Sequence, residues 1–516
     1  MLKITNWVKS NRSLVFVLAF YLICASVLFG RFRYTLNPDG ISYISIAQKY
    51  ADGNFGDAVN GYWGPLLSWL LAPFIYLHRD PQAAAKLISI GAGTLVIYLI
   101  SYIGKIWKLN MKVRSIVLFS VLPLCLAWAL PSSITPDLLV VVLVLSYVIA
   151  MSGISIPTYK RSIVVGTIVA LGFYTKSFLL PFFILHVIIY ATVQFARNRT
   201  HKKLIITQYG LALIVTAALV LPWFIALSIK YKTPTIATAG VYNFAIQSPE
   251  RKGLPPMEDK GLLAPPNSSA VSVWEDPTYI KPESWSPVKN ASTMRYFIQT
   301  ILENLRVIGL IFFSFSVFSI SVFVLSFFIL LKKQSHKLWN QQMLLVTLAL
   351  TYVVGYATLP REERYMWPIF AILLLSAAIL TQQFRLYKAH VAHILLLMVV
   401  VGSIIYSPIN KLIYTPDVGL SQKQGAEVLK PLFKGDERVA SDTFDSIRYC
   451  YYLEVACYGK INPMLSDEDN QKQLARYKIT DLLLYDTSES WQKPTYLSAY
   501  EEVETNNPAI RLLKVK

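Results

Sequence analysis

With 516 residues, of which 54% are hydrophobic and 15% charged, and a mean hydropathy of +0.45, the chain carries more apolar surface than a water-soluble fold could cover. Its formal net charge of +19 falls mainly in short loops between apolar runs, so it gives little support to nucleic-acid binding. A helix needs about 20 mostly apolar residues to cross the hydrocarbon core, and such runs recur from Ser13 to Ser407, so the expected class is a polytopic α-helical membrane protein.

The first expected span, 13–30, is too long for a removed signal peptide and lacks a small-residue cleavage site, so it is expected to remain as an anchor. Beyond it the chain leaves the bilayer at Asn37-Pro38-Asp39-Gly40. A carboxylate at membrane depth costs about 2.5 to 3.5 kcal/mol even on mild insertion scales, so one kept there faces a cavity, a partner or a substrate. A Pro-Asp-Gly turn capping a helix that begins near Ile41 is the plainer reading. In the exterior segment 31–81, the apolar and aromatic stretches 41–47 and 65–71 suit helices lying at the interface.

Spans are expected at 82–104, 115–131 and 138–153, the last preceded by Thr135 as N-cap, Pro136 at the first position and Asp137 in the first turn. The spans 162–178 and 179–196 meet at Phe178-Leu179, where Pro181 favours a break; Lys176, close to that junction, is placed to snorkel to the headgroups. After a span at 204–228 comes the long loop 229–304, rich in Pro, Ser and Asn and holding Trp274, Tyr279 and Trp285, a length that suits a functional loop or lid. Further spans are expected at 305–331, 342–359, 366–381 and 391–407, eleven in all. Arg361-Glu362-Glu363-Arg364-Tyr365 lies between two of them; it reads either as a neutralised interfacial loop or as a pair of arginines suited to bidentate phosphate binding.

Residues 1–407 thus form a transmembrane domain with exterior loops 31–81 and 229–304. In 408–516 apolarity drops, and expected strands at 438–442 and 481–486 around a helix at 467–477 point to a small α/β domain. Every second loop is basic: Lys3, Lys9 and Arg12; Lys105, Lys108, Lys112 and Arg114; Lys160 and Arg161; Arg197, Arg199, Lys202 and Lys203; Lys332, Lys333 and Lys337; Arg385 and Lys388. All fall on one side if 162–196 crosses twice, which puts the N-terminus in the cytoplasm and the C-terminal domain outside a multi-pass cell membrane, with anionic headgroups favoured at the basic face. Cys24 and Cys125 serve as small apolar residues within spans, while Cys450 and Cys457 lie outside, where the sequence leaves a disulfide open.

Asp39, Asp137, Lys176, the 361–365 cluster and the Tyr62-Trp63 stretch all gather at the outer ends of spans. A carboxylate able to accept a proton from an incoming hydroxyl, with cations to stabilise a departing phosphate, describes transfer from a phosphate-bearing lipid.

The pattern resembles the GT-C glycosyltransferases, in particular the family 39 group with its lipid A aminoarabinose transferases and protein O-mannosyltransferases. The resemblance is carried by Asp39, Tyr43 and Ala47 at helical spacing, by Trp63-Gly64-Pro65-Leu66 leading to Trp69, by Thr135-Pro136-Asp137, by Thr175-Lys176, and by Arg364-Tyr365 with Pro368. It implies transfer of a sugar, usually with inversion, from a polyprenyl-phosphate donor to a lipid, protein or polysaccharide acceptor. Asp39 would be the catalytic carboxylate, Lys176, Arg361 and Arg364 would hold the donor phosphate, and Tyr43, Tyr62, Trp63 and Asp137 would line the substrate site. A divalent cation, held by some GT-C enzymes, would fall to Asp39, Asp57 or Asp137. Two departures stand out: Gly40 occupies a position where many relatives have Glu, and Trp63-Gly64 replaces a charged residue and a proline. Two other readings remain open, a transporter or flippase of lipid-linked saccharides, although no internal repeat is visible, and a non-catalytic envelope scaffold.

Overall fold

The computed structural model describes residues 11–152, 158–197, 200–280, 283–331, 336–384, 390–416, 418–488 and 490–516. Of the basic positions named above, Lys3, Lys9, Arg199, Lys332, Lys333, Arg385 and Lys388 lie outside these residues.

Helix α1 (Arg12–Phe32) leads to two helices outside the long bundle, α2 (Pro38–Ala51) and α3 (Pro65–Tyr76), where the sequence placed interfacial segments. Each starts on a proline, whose fixed φ suits the first helical turn and whose missing N–H would be unpaired there anyway. The bundle continues with α4 (Pro81–Ile106), α5 (Met111–Ala129), α6 (Asp137–Met151), α7 (Tyr159–Thr175), α8 (Leu179–Arg197) and α9 (Lys202–Tyr231). A short helix α10 (Ala239–Ala245) follows in the long loop, then α11 (Ala291–Phe315), α12 (Ser319–Leu331), α13 (His336–Tyr356), α14 (Trp367–Phe384) and α15 (His390–Tyr414). Among the described residues seven helical stretches are long and apolar enough to cross a membrane: α1, α4, α5, α8, α9, α11 and Glu363–Gln382. The expected spans 138–153, 162–178, 342–359 and 391–407 are also helices, outside that group of seven.

The expected single span 305–331 is corrected to two helices. Ser316 is extended (φ −160°, ψ 135°), and its hydroxyl accepts the Phe318 N–H and meets the Ser403 hydroxyl at 2.6 Å, giving the interrupted backbone local partners. Helix α11 begins at Ala291, inside the expected loop, behind a capping box between Asn290 and Thr293. Its exposed Glu303–Arg306 pair lies near mid-helix, a costly place for charge in hydrocarbon. Asn304 donates to the carbonyls of Ala357 (2.8 Å) and Leu359, and Phe315 stacks on Phe370 with centroids 4.1 Å apart, one turn into α14. The middle and the end of α11 are therefore both held near one end of the bundle.

Two ends are distinguishable. At one, Trp107 donates to Ser152, Arg161 to the Ser152 carbonyl, the Asn110 N–H to Gln382, and Arg197 lies 3.6 Å from the Trp339 ring centroid, so the described basic loops gather there. At the other sit α2, α3, the carboxylates and the C-terminal α/β part.

That part begins with α16 (Val418–Leu429) and carries β1 (Arg438–Ser441), α17 (Ile447–Leu453), β2 (Ala456–Lys460), α18 (Asp467–Tyr477), β3 (Asp481–Leu484), β4 (Tyr500–Val503) and β5 (Arg511–Val515). The sheet order is β2-β1-β3-β5-β4, with β1 parallel to β2 and β3, and β5 antiparallel to β3 and β4. The expected strands and helix are present; β2, β4 and β5 were not foreseen. One apolar core runs from Leu36, Ile41 and Tyr43 of the membrane part to Val439, Ile447 and Leu483 of the sheet part. Arg448 donates to the Leu36 carbonyl across this seam. Cys450 and Cys457 are both buried free thiols.

Candidate active site

Asn37 caps α2, its side chain accepting the Gly40 N–H at 2.9 Å. That leaves Asp39, in the first turn, free of capping. Its Oδ2 accepts from Arg364 Nη2 at 2.8 Å and its Oδ1 from the indole N–H of Trp274 at 3.0 Å. Gly40 packs against Ile134: a Cβ there would come within 2.8 Å of the Ile134 Cβ. The absence of a Glu at this position is thus matched by the close approach of the turn that leads to Asp137.

Asp137 opens α6 and is 2% exposed. It accepts from Lys176 Nζ at 2.9 Å, and its other oxygen lies 3.6 Å from Arg364 Nε. Lys176 stands at the extended residue that ends α7, so its side chain leaves the helix; the ammonium sits 3.6 Å from the Tyr365 ring centroid as well as on Asp137. Rather than snorkelling away, it is held by a carboxylate and an aromatic face. Arg364, on the 3-10 turn Glu363–Met366, reaches Asp39, Asp137 and the half-exposed Glu362, the last at 2.6 Å from Nε.

Gly64 explains how these elements come together. A Cβ at Gly64 would lie 2.5 Å from the Thr175 carbonyl oxygen, so only glycine lets the start of α3 press against the end of α7, where Lys176 follows. Lys86, buried in α4, donates to the carbonyls of Leu130 (2.7 Å) and Ser132 (2.5 Å) beyond the end of α5, supporting the turn before Asp137.

Asp39, Asp137, Lys176, Arg364 and Tyr365 line a cavity of about 610 Å³ that also takes in Tyr43, Tyr62, Trp63 and Tyr356 and extends along the apolar side chains of Phe182, Leu185 and Val354. Tyr43 meets Trp63 edge-on at 5.1 Å, and the Tyr62 hydroxyl points to Asn243. Of the residues expected in a site, Asp39, Tyr43, Tyr62, Trp63, Asp137, Lys176 and Arg364 are brought together here. Arg361 is not in the lining: it donates to Asn304 Oδ1 and braces the turn against α11. Asp57 lies on the short helix Phe55–Ala58, bonded to Asn54 and outside the lining.

No group of three or more His, Cys, Asp or Glu suited to a metal ion occurs among the described residues. The Asp39 and Asp137 carboxylates already share the Arg364 guanidinium, and Asp137 takes the Lys176 ammonium, so fixed cations stand where a metal would be held. The residues present do not fit the divalent-cation site that the resemblance allowed.

Trp274 and Tyr356 were not expected in the site. The signal for the first was Trp274-Glu275-Asp276, an aromatic residue followed by two carboxylates in an otherwise Pro- and Ser-rich loop.

No family model matches the sequence, and no curated protein does. Among solved structures, the chain is similar to ArnT from Cupriavidus metallidurans in the apo state, with 12% identity, 99% of this chain and 98% of that one covered, and a TM-score of 0.57. The form of ArnT bound to undecaprenyl phosphate gives 11%, 98%, 98% and 0.58. AglB from Archaeoglobus fulgidus, in complex with an inhibitory peptide and a dolichol-phosphate, gives 10%, 93%, 70% and 0.58. The chain has the fold of the GT-C glycosyltransferases.

Proposed function

We propose that this protein transfers a sugar from a polyprenyl-phosphate donor to an acceptor hydroxyl on the extracytoplasmic side of the membrane, with inversion at the anomeric carbon. The observation that carries the reading is one carboxylate, Asp39, gripped by Arg364 in a cavity that holds two carboxylates paired with two cations and is lined elsewhere by apolar side chains. An apolar cavity of this shape suits a prenyl chain. Its polar end suits a phosphate: Lys176 has three N–H donors and, among the described residues, gives one to Asp137. ArnT in complex with undecaprenyl phosphate and AglB with a dolichol-phosphate support the donor class.

In this reaction Asp39 accepts the proton of the acceptor hydroxyl as that oxygen attacks the anomeric carbon. The bond from the anomeric carbon to the phosphate oxygen breaks, and its electron pair leaves on the phosphate, where Lys176 and Arg364 offset the growing charge. Asp137 holds the two cations in place and is itself too buried to receive substrate. The acceptor is a lipid, a protein or a polysaccharide, and the gathering of basic loops at the opposite end supports a cytoplasmic N-terminus.

The test is transfer of labelled sugar from a panel of polyprenyl-phosphate donors in membranes holding wild-type protein or an equally expressed Asp39→Asn variant. Turnover by wild type and loss of at least a hundredfold in the variant are expected. Equal activity of the two would overturn the reading, and movement of intact lipid-linked saccharide without sugar release would put a transporter in its place.

A further inference from the structure

Asp39 is held at both oxygens, and the second hold comes from a loop rather than from the bundle. Residues 272–276 form a tight turn in which Ser272 Oγ accepts the Trp274 N–H at 3.2 Å. Three sets of contacts fasten this turn to the helices. The Glu275 carboxylate takes the Lys49 ammonium and the Ser45 hydroxyl from α2, with both charged side chains 2% exposed. Asn60 donates to the Glu275 carbonyl at 2.7 Å, while Asp276 accepts the Tyr231 hydroxyl at 2.7 Å and lies 3.7 Å from Lys230. The Trp63 indole donates to the Trp274 carbonyl at 3.1 Å, and the Trp274 ring is wedged among Tyr62, Trp63 and Tyr242, at centroid distances of 5.6, 5.8 and 6.3 Å.

A buried ion pair is poor evidence for stability, because desolvating two charges cancels much of their attraction. Its use here is directional. Lys49 and Ser45 lie on α2, the helix whose first turn carries Asp39, so the same helix that presents the carboxylate also locks the turn that presents the indole N–H to it.

We propose that Trp274 is a positioning residue for Asp39: its indole N–H and the Arg364 guanidinium each take one carboxylate oxygen and so fix the plane the carboxylate turns toward an incoming hydroxyl, with Glu275 and Lys49 holding the indole in place. This rests on the transferase reading above. A base allowed to rotate about its Cβ–Cγ bond spends less time in the geometry of attack, a loss that falls on turnover rather than on donor binding.

The experiment compares wild type, Trp274→Phe, Glu275→Gln and Asp39→Asn as full-length protein, in sugar transfer from polyprenyl-phosphate donors and in binding of undecaprenyl phosphate. Phenylalanine keeps an aromatic ring in the wedge and removes the N–H. The expected result for Trp274→Phe is at least a tenfold fall in kcat, with donor KM and undecaprenyl phosphate affinity within twofold of wild type and an unchanged melting temperature. Glu275→Gln, acting from the far side of the turn, should lower kcat in the same pattern. A Trp274→Phe kcat within twofold of wild type overturns the inference, as does a loss of lipid binding that parallels the loss of kcat. Full activity in Asp39→Asn would instead bring down the transferase reading itself.

Discussion

Arg364 spans three carboxylates with one planar group, and a lysine could not. Its Nη2 reaches Asp39 at 2.8 Å while its Nε lies 3.6 Å from Asp137 and 2.6 Å from Glu362, a spread that uses the fixed fork of the guanidinium. Arg364→Lys should therefore keep the charge and lose the bridge, lowering kcat at least tenfold; steady-state transfer assays check this, and a kcat within twofold would show that charge alone suffices. Lys176 makes a different contribution, a point charge facing the cavity. Lys176→Met should raise donor KM at least tenfold with a smaller effect on kcat if the phosphate contact is as strong in the ground state as in the transition state. Four residues of this cluster, Asp39, Asp137, Lys176 and Arg364, were legible because a charged side chain beside an apolar run is costly unless it has a use. Arg361 looked the same by that criterion and pairs with Asn304 instead, because sequence shows that a charge is present and not which way its side chain turns. Trp274 carried only the weaker signal of the two carboxylates that follow it, since a tryptophan in a long loop has no cost to explain.

Helix ends, more than helix middles, place the chemistry. The contact of Gly64 with the Thr175 carbonyl leaves no room for a methyl group, so Gly64→Ala must push α3 away from α7. Overpacking of this kind costs about 1 to 3 kcal/mol; a lowered melting temperature together with a raised donor KM is expected, because Lys176, next in the chain to Thr175, would shift. Asp80 shows the same logic at the start of α4, capping the N–H groups of Gln82 and Ala83 while paired with Arg33. Burial raises its carboxyl pKa, but the Ala83 N–H and Arg33 outweigh burial, so its folded-state value lies below the ordinary range. A depressed carboxyl stabilises the fold above its unfolded pKa and loses that effect as the pH falls through the lower folded value. Asp80→Ala should therefore cost about 1 kcal/mol at pH 7, and the gap in melting temperature from wild type should start to close as the pH falls below about 4. A gap independent of pH would assign the loss to packing. Caps and prolines made most of these boundaries readable. The break at Ser316 was not, because Ser316-Val317-Phe318 is as apolar as its flanks and the interruption is stabilised by Ser403, 87 residues away.

On the scale of the molecule, the C-terminal sheet and the long loop are one construction. The loop runs along the free edge of β2: the Leu263 N–H donates to the Tyr458 carbonyl at 2.9 Å, the Cys457 N–H to the Val271 carbonyl at 2.8 Å, and Ser272 bridges Cys457 in parallel fashion. Gln473 of α18 accepts the Leu262 N–H, and Asn462 donates to the Asp259 carbonyl. An edge strand that would otherwise offer unpaired backbone groups is thereby covered, and the turn that carries Trp274 is tied at one end to the sheet and at the other to α2. Sequence patterning could find β1 and β3 but not β2, and pairing across nearly 200 residues leaves no local trace. The consequence is that the α/β part should influence turnover without touching substrate. A Gln473→Ala/Asn462→Ala double variant removes two side-chain ties on the loop and leaves the sheet's ladder intact. Faster amide exchange across 262–276, a kcat lowered several-fold and a donor KM within twofold of wild type are expected. If exchange rises while kcat holds, the sheet steadies the loop without steadying the base, and the ties from Lys49, Asn60 and Tyr231 are sufficient for Trp274.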